Sequence, residues 1–220
     1  MIDAFDVVLF DNDGVLVDTE PLFLRATQEL LATVGVEVDA ETYRAISLVR
    51  GASVFDLAAA NGLGEGEIVA LRTRRDARYA ELIRAGVAVL PGVRTTLARL
   101  QGRRPMAIVT SSGRSHFDDI HVQTDLLRHF EFVLADGDYS RPKPHPDAYL
   151  AAARRFDVDP ARCLVVEDTE RGLASAHAAG MHCIVIPHAL SRGSDFGRAL
   201  RVLDSMEPLA DLLGLDASVG

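Results

Sequence analysis

Short runs of consecutive apolar residues recur along the chain, separated by stretches in which apolar positions return every three or four residues. The runs are Val7–Phe10, Met106–Thr110, Phe132–Ala135, Cys163–Glu167 and His182–Ile186. Their apolar residues are continuous rather than alternating with polar ones. That predicts strands buried on both faces, as in a parallel sheet covered by helices on each side. Helical periods fall between them, at Val93–Leu100, near Ser115, and over Pro146–Phe156 and Thr169–Ala179, the last followed by Gly180 as a C-terminal cap. Strand–helix alternation predicts an α/β fold with a doubly wound parallel sheet. Ligands of such sheets bind beyond the carboxyl ends of the strands, so chemistry is expected in the residues just after each run.

The stretch from about Pro21 to Val89 breaks this rhythm. Leu22, Phe23, Ala26, Leu30 and Leu31 follow a helical period, and Pro21 suits a first turn. Ile68–Arg84 is helical in pattern and rich in Arg, and no strand is evident. The pattern predicts a core domain made of residues 1–17 and 90–220, with a helical domain, 18–89, inserted after the first strand. The chain is expected to return to the core at the Leu90-Pro91-Gly92 turn, and a short surface helix is expected from about Ser205.

Composition narrows the function. The 220 residues carry a formal net charge of −9, a poor match for nucleic acid or anionic membrane, which are bound by surplus Lys and Arg. Cys163 and Cys183 lie inside apolar runs and read as buried free thiols. Neither a basic leader nor a long apolar stretch is evident, so a cytoplasmic protein is expected, with a monomer as the default state.

The most informative segment is Val7-Val8-Leu9-Phe10-Asp11-Asn12-Asp13-Gly14. In an extended chain the two acids would point to opposite faces, and Gly14 lets the backbone turn so that both address one site. One carboxylate can attack phosphorus. The other can protonate a leaving oxygen and later deprotonate water. This segment resembles the first motif of the haloacid dehalogenase superfamily, in its phosphatase and phosphomutase branch. Three further segments resemble the later motifs in order, each at a strand end.

The resemblance implies a Rossmann-like core with a C1 cap, and a role for each matching residue. Asp11 is the nucleophile and Asp13 the acid and base. Thr110 donates its hydroxyl to the phosphoryl group, with Ser111 and Ser112 beside it at a helix start whose free N–H groups favour an anion. In Arg141-Pro142-Lys143-Pro144, Lys143 sits between Asp11 and the phosphate, and the prolines stiffen its loop. Acids directly after an apolar strand suit Mg²⁺, a hard cation. By resemblance Asp11, the Asp13 carbonyl and Asp168 are its ligands, and Glu167 binds it directly or through water. In the cap, Arg50 is either a contact to a second anionic or hydroxylated part of the substrate or a solvated side chain. Glu20 and Asp18 stand where the core passes into the cap.

The activity this implies is Mg²⁺-dependent hydrolysis of a small phosphorylated metabolite, a sugar phosphate or phospho-acid, through a phosphoaspartate. A β-phosphoglucomutase-like transfer is the alternative. Relatives with that activity carry a His where this chain has Phe23 and an Arg where it has Val54, and both departures favour hydrolysis. A haloacid dehalogenase has no use for Asp13, and a non-catalytic binding protein none for the full motif set. Asn12, between the two acids, is polar where relatives often place an apolar residue.

Overall fold

The computed structural model describes residues 5–214. The outermost parts of the expected core range, 1–4 and 215–220, lie outside the described residues. Among the described residues six strands form one sheet: β1 (Val7–Phe10), β2 (Met106–Gly113), β3 (Phe132–Asp136), β4 (Cys163–Glu167), β5 (His182–Val185) and β6 (Arg201–Val202). Their order is β3-β2-β1-β4-β5-β6, and every pairing is parallel.

Continuous apolar runs are explained by the two cores. Val8, Phe10, Ile108, Leu164, Val166 and Ile184 face a cluster that includes Leu97 of α5 (Val93–Leu100), Phe117 of α6 (Arg114–His121) and Leu209 of α9 (Pro208–Leu212). The alternate residues Val7, Leu9, Ala107, Val109, Val165 and Cys183 face the other way, onto Tyr149 and Ala152 of α7 (Asp147–Phe156) and Leu173 and Ala176 of α8 (Glu170–Ala178). Successive strand side chains point to opposite faces, so covering both faces demands an apolar residue at every position.

Between β1 and β2 lie α1 (Glu20–Ala32), α2 (Ala40–Tyr43), a π-helical turn (Arg44–Val49), α3 (Asp56–Ala60) and α4 (Glu65–Ala85). These bury a cluster of their own, which includes Leu24, Leu31, Val38, Tyr43, Val54 and Phe55. The two chain passages that join insert and core run side by side. The Asp18 N–H donates to the Ala88 carbonyl at 2.9 Å, and the Leu90 N–H donates to the Leu16 carbonyl at 3.0 Å. The separation is incomplete, because Ala26, Tyr79, Leu82 and Ile83 join the sheet-side core. Tyr79 meets His116 of α6 edge-on at 5.2 Å, and Arg84 pairs with Asp119 at 2.7 Å.

Two elements differ from the sequence pattern. β2 runs past Thr110 to Gly113, with a register shift between Val109 and Gly113 that frees Thr110–Ser112 from regular pairing. β6 was not expected, because two exposed residues on a sheet edge carry no apolar run. Cys163 and Cys183 are both buried and free. Among the described residues no helix is long and apolar enough to cross a membrane.

Leu97 is fully buried, whereas Val202 is half exposed. Leu97→Ala is expected to lower unfolding free energy by roughly 2–5 kcal/mol in urea titrations. Val202→Ala is expected to stay within about 0.5 kcal/mol.

Candidate active site

β1 lies between β2 and β4, so the chain crosses to opposite sides of the sheet at its carboxyl end. That is the switch point where a parallel sheet opens a crevice. Asp11 is the first residue beyond β1, and its N–H still donates to the Val166 carbonyl at 2.9 Å, so its backbone is held by the sheet. The chain then turns at Gly14 (φ +76°), where a Cβ would lie 2.2 Å from Asp168 Oδ2. Only glycine allows both this backbone conformation and this close approach. A cavity of about 360 Å³ opens here, lined from the core by Asp11, Asp13, Lys143 and Asp168 and from the insert by Phe23 and Tyr43.

Lys143 is buried and its ammonium makes three hydrogen bonds, to Asp11 Oδ1 at 2.5 Å, Glu167 Oε1 at 2.7 Å and the Val109 carbonyl at 2.9 Å. All three of its protons are thereby used. Burial alone would lower the Lys143 pKa, and the two carboxylates overcome it and hold the group above its ordinary value. Glu167 also accepts from Tyr149 Oη at 2.7 Å through Oε1, and from the Asp168 N–H at 3.2 Å through Oε2. Burial acts to raise its pKa, but Lys143 and these donors outweigh that and keep it ionised.

Asp11 and Asp168 are less well compensated. Desolvation raises the pKa of both far above the carboxylate range, with Glu167 adding to each and Lys143 only partly offsetting it. Asp168 Oδ2 is buried and has no hydrogen-bond partner. His188 Nε2 lies 3.1 Å from it without the alignment of a hydrogen bond. Asp11, Glu167 and Asp168 each bring an oxygen within 4.8 Å of the others. Buried carboxylate oxygens in excess of nearby cations are the donor set a hard divalent ion requires, so these residues fit Mg²⁺. Glu167, with both oxygens already bonded, is the most occupied of the three.

Asp13 turns into the same cavity. Its Oδ1 accepts from Thr19 Oγ1 at 2.5 Å, and its Oδ2 accepts from Ser112 Oγ at 2.8 Å and Thr110 Oγ1 at 3.2 Å. The freed segment of β2 therefore serves as the acid's cradle. Ser111 lines the cavity beside it. Glu20 lines the cavity too, with Oε2 buried and unpartnered and Tyr43 donating to the carboxyl. Burial raises its pKa to about 7. Arg50 is exposed and stands outside the cavity lining, so its neighbour Gly51 is the part of that segment that reaches the site.

Sequence reasoning missed three contributors. His188 follows β5, and a polar residue three places past a strand end was the available signal. Arg171, in the first turn of α8, donates from Nη2 to the Lys143 carbonyl at 2.5 Å. His121 accounts for Asn12: the Asn12 side chain turns away from the cavity, and its Oδ1 meets His121 Nε2 at 2.8 Å. His121 Nδ1 meets Thr124 Oγ1 at 2.7 Å. Burial lowers the His121 pKa to about 4, so the imidazole is neutral and ties the loop between the two acids to α6.

A family model described as haloacid dehalogenase-like hydrolase matches residues 5–180. The chain belongs to this family. It is 34% identical over 207 residues to protein CbbY of Rhodobacter capsulatus, covering 87% of this chain and 89% of that protein. It is 30% identical over 187 residues to the fructose-1-phosphate phosphatase YqaB of Escherichia coli, covering 84% and 97%. The crystal structure of a CbbY variant from Rhodobacter sphaeroides in complex with xylulose-(1,5)-bisphosphate superposes with a TM-score of 0.80 at 29% identity, covering 97% of this chain and 100% of that one. Two hexitol phosphatases and the fructose-1-phosphate phosphatase of Escherichia coli are thus relatives of this haloacid dehalogenase-like hydrolase at 30–32% identity.

Two outcomes follow from the charges. The Glu20 pKa is higher folded than unfolded, so the native state binds a proton more tightly and loses stability as pH rises from about 4.5 to 7. In metal-free buffer, the melting temperature of Glu20→Gln is expected to gain on the parent across that window and to hold its lead above it. Lys143→Met strands two buried carboxylates and is expected to cost about 3–5 kcal/mol at pH 8 in urea unfolding. Those carboxyls then titrate at raised pKa, so the deficit shrinks as pH falls to 5.

Proposed function

We propose that the protein is a Mg²⁺-dependent phosphatase that hydrolyses a small phosphorylated sugar or sugar acid through a phosphorylated Asp11. The observation that carries this reading is the pairing of Asp11, fixed at the strand end by Lys143, with Asp13 in a hydroxyl cradle of the same cavity. The relatives named for fructose 1-phosphate and bound to xylulose-(1,5)-bisphosphate support a sugar phosphate as the substrate class.

Asp11 Oδ attacks phosphorus in line, and the bond from phosphorus to the ester oxygen breaks. Asp13, protonated at this stage, gives its proton to the departing alkoxide. Water then attacks the phosphoaspartate, Asp13 takes its proton, and inorganic phosphate leaves as the bond to Asp11 breaks. Lys143 offsets the charge of the attacking carboxylate and keeps it oriented. Asp11, Asp168 and the Asp13 carbonyl would hold Mg²⁺, with Glu167 behind them. Bound there, the ion would neutralise charge on the phosphoryl oxygens. Residues 18–89 act as the cap: Phe23, Tyr43, Ser47, Leu48, Gly51 and Tyr79 line the cavity from that side and exclude water when it closes.

Hydrolysis is favoured over sugar-phosphate isomerisation by what fills the cap. Phe23 is packed at 5.0 Å against Tyr79 and has no proton to exchange, and Val54 is buried in the insert's own core. The test is phosphate release from a panel of sugar phosphates and phospho-acids. Release is expected to require Mg²⁺, to stop with chelator, and to fall by ~10³-fold or more in Asp11→Asn. Undiminished release in that variant would overturn the mechanism.

A further inference from the structure

Most of the polar side chains that line the cavity are already engaged. Thr19 and Ser112 donate to Asp13, Thr169 donates to Glu167, and Lys143 spends its three protons on Asp11, Glu167 and the Val109 carbonyl. Tyr43 bonds Glu20, and Tyr79 bonds Thr19. Ser47 and His116 are exceptions: among the described residues, both line the cavity and neither makes a side-chain hydrogen bond. Both are half-buried, and their polar atoms keep accessible surface. A group that enters the cavity can therefore bond them without displacing a protein partner or opening the packing.

The two come from different domains. Ser47 belongs to the π-helical turn of the insert, and His116 is the third residue of α6 in the sheet domain. α6 begins directly after the end of β2, whose Thr110 and Ser112 cradle Asp13. Side chains on a helix lean back towards its N-terminus, so the His116 ring leans towards that cradle. The ring is also held in place. It meets Tyr79 edge-on at 5.2 Å, and Tyr79 packs in turn against Phe23 at 5.0 Å. A ring fixed by its neighbours loses little further freedom when a ligand bonds it. A neutral imidazole and a hydroxyl each donate and accept, and neither is a permanent ion. Five carboxylates share the same cavity, which disfavours another anion at these two groups. Their match is a hydroxyl, which also donates and accepts.

We infer that His116 and Ser47 are specificity-determining residues that hydrogen-bond hydroxyls on the substrate's carbon chain beyond its phosphate. Selection is then written into α6 of the sheet domain as well as into the insert. This rests on the phosphatase reading for the nature of the substrate, and it concerns which ester is preferred rather than how it is cleaved.

The test is calorimetric binding in Mg²⁺ to full-length Asp11→Asn protein, alongside kcat/KM of the parent enzyme. The probes are fructose 1-phosphate, sorbitol 6-phosphate and methyl phosphate, which carries no hydroxyl on its carbon. At least one of the first two is expected to bind roughly ten-fold or more tighter than methyl phosphate. Adding His116→Phe keeps a ring against Tyr79 and removes the nitrogens, and it is expected to cut that preference by about five- to ten-fold. His116→Gln, which can still donate and accept, is expected to restore part of it, and Ser47→Ala to lower it by about three-fold or more. A preference unchanged in His116→Phe overturns the inference. So does an equal loss for all three probes, which would mean that His116 only supports the seam, and so does the absence of any preference over methyl phosphate. His116-dependent binding without phosphate release by the parent enzyme would instead overturn the phosphatase reading and leave the hydroxyl contacts standing.

Discussion

The ammonium of Lys143, held between Asp11 and Glu167 beneath the Val109 carbonyl, is the contact on which the rest of the site depends. It joins β1, β2, β4 and the loop before α7 at one buried point. A group of such charge density is tolerated there only because each of its protons has an acceptor and two of the acceptors are anions. The same contact sets the electrostatics around it. Glu167 stays ionised because Lys143 and Tyr149 stabilise it, and its charge then adds to the burial that raises Asp11 and Asp168. Negative charge thus accumulates where Asp11, Glu167 and Asp168 bring their oxygens together.

A surplus of buried negative charge is an unfavourable state by itself, and the fold holds it by fixing the backbone around it. Gly14 brings its main chain against Asp168, and a Cβ on Gly172 would lie 1.8 Å from the Glu167 carboxyl carbon. Neither acid has room to swing away. Asn12, His121 and Thr124 hold the loop between Asp11 and Asp13 from behind, through neutral hydrogen bonds that add no charge to the site. Because α6 also carries His116 and Asp119, which meet Tyr79 and Arg84, the helix that braces the acids is the one on which the insert rests. One helix, α6, thus touches both the insert and the loop between the two acids.

The insert contributes most of the cavity's apolar wall. Phe23, Leu48 and Tyr79 shape the space, while Glu20 and Tyr43 supply polarity from the same side. Chemistry from the core and shape from the insert is an arrangement in which one reaction can serve different substrates. Family membership makes the protein a hydrolase, and on the proposed reading the side chains that fill the insert-facing half of the cavity decide what enters.

Much of this was legible in the residues alone. Two-faced burial makes Val7–Phe10, Met106–Val109, Cys163–Val166 and Cys183–Val185 apolar throughout, so these strands were visible as unbroken runs, and the acids at the ends of β1 and β4 marked the carboxyl edge of the sheet. That Asp11, Asp13, Lys143 and Asp168 would share one cavity was readable because each stands just past a strand or in a stiffened loop, a local signal. Contacts between segments distant in sequence were not readable. The Asn12–His121 bond spans 109 positions, and Arg171 reaches the Lys143 carbonyl across 28. Strand periodicity and motif spacing are properties of neighbours along the chain, and they determined the fold class and the candidate site residues. Which buried donor is left unanswered, and which arginine lines the cavity, depends on how helices from separate parts of the chain pack together, and only the tertiary structure decided that.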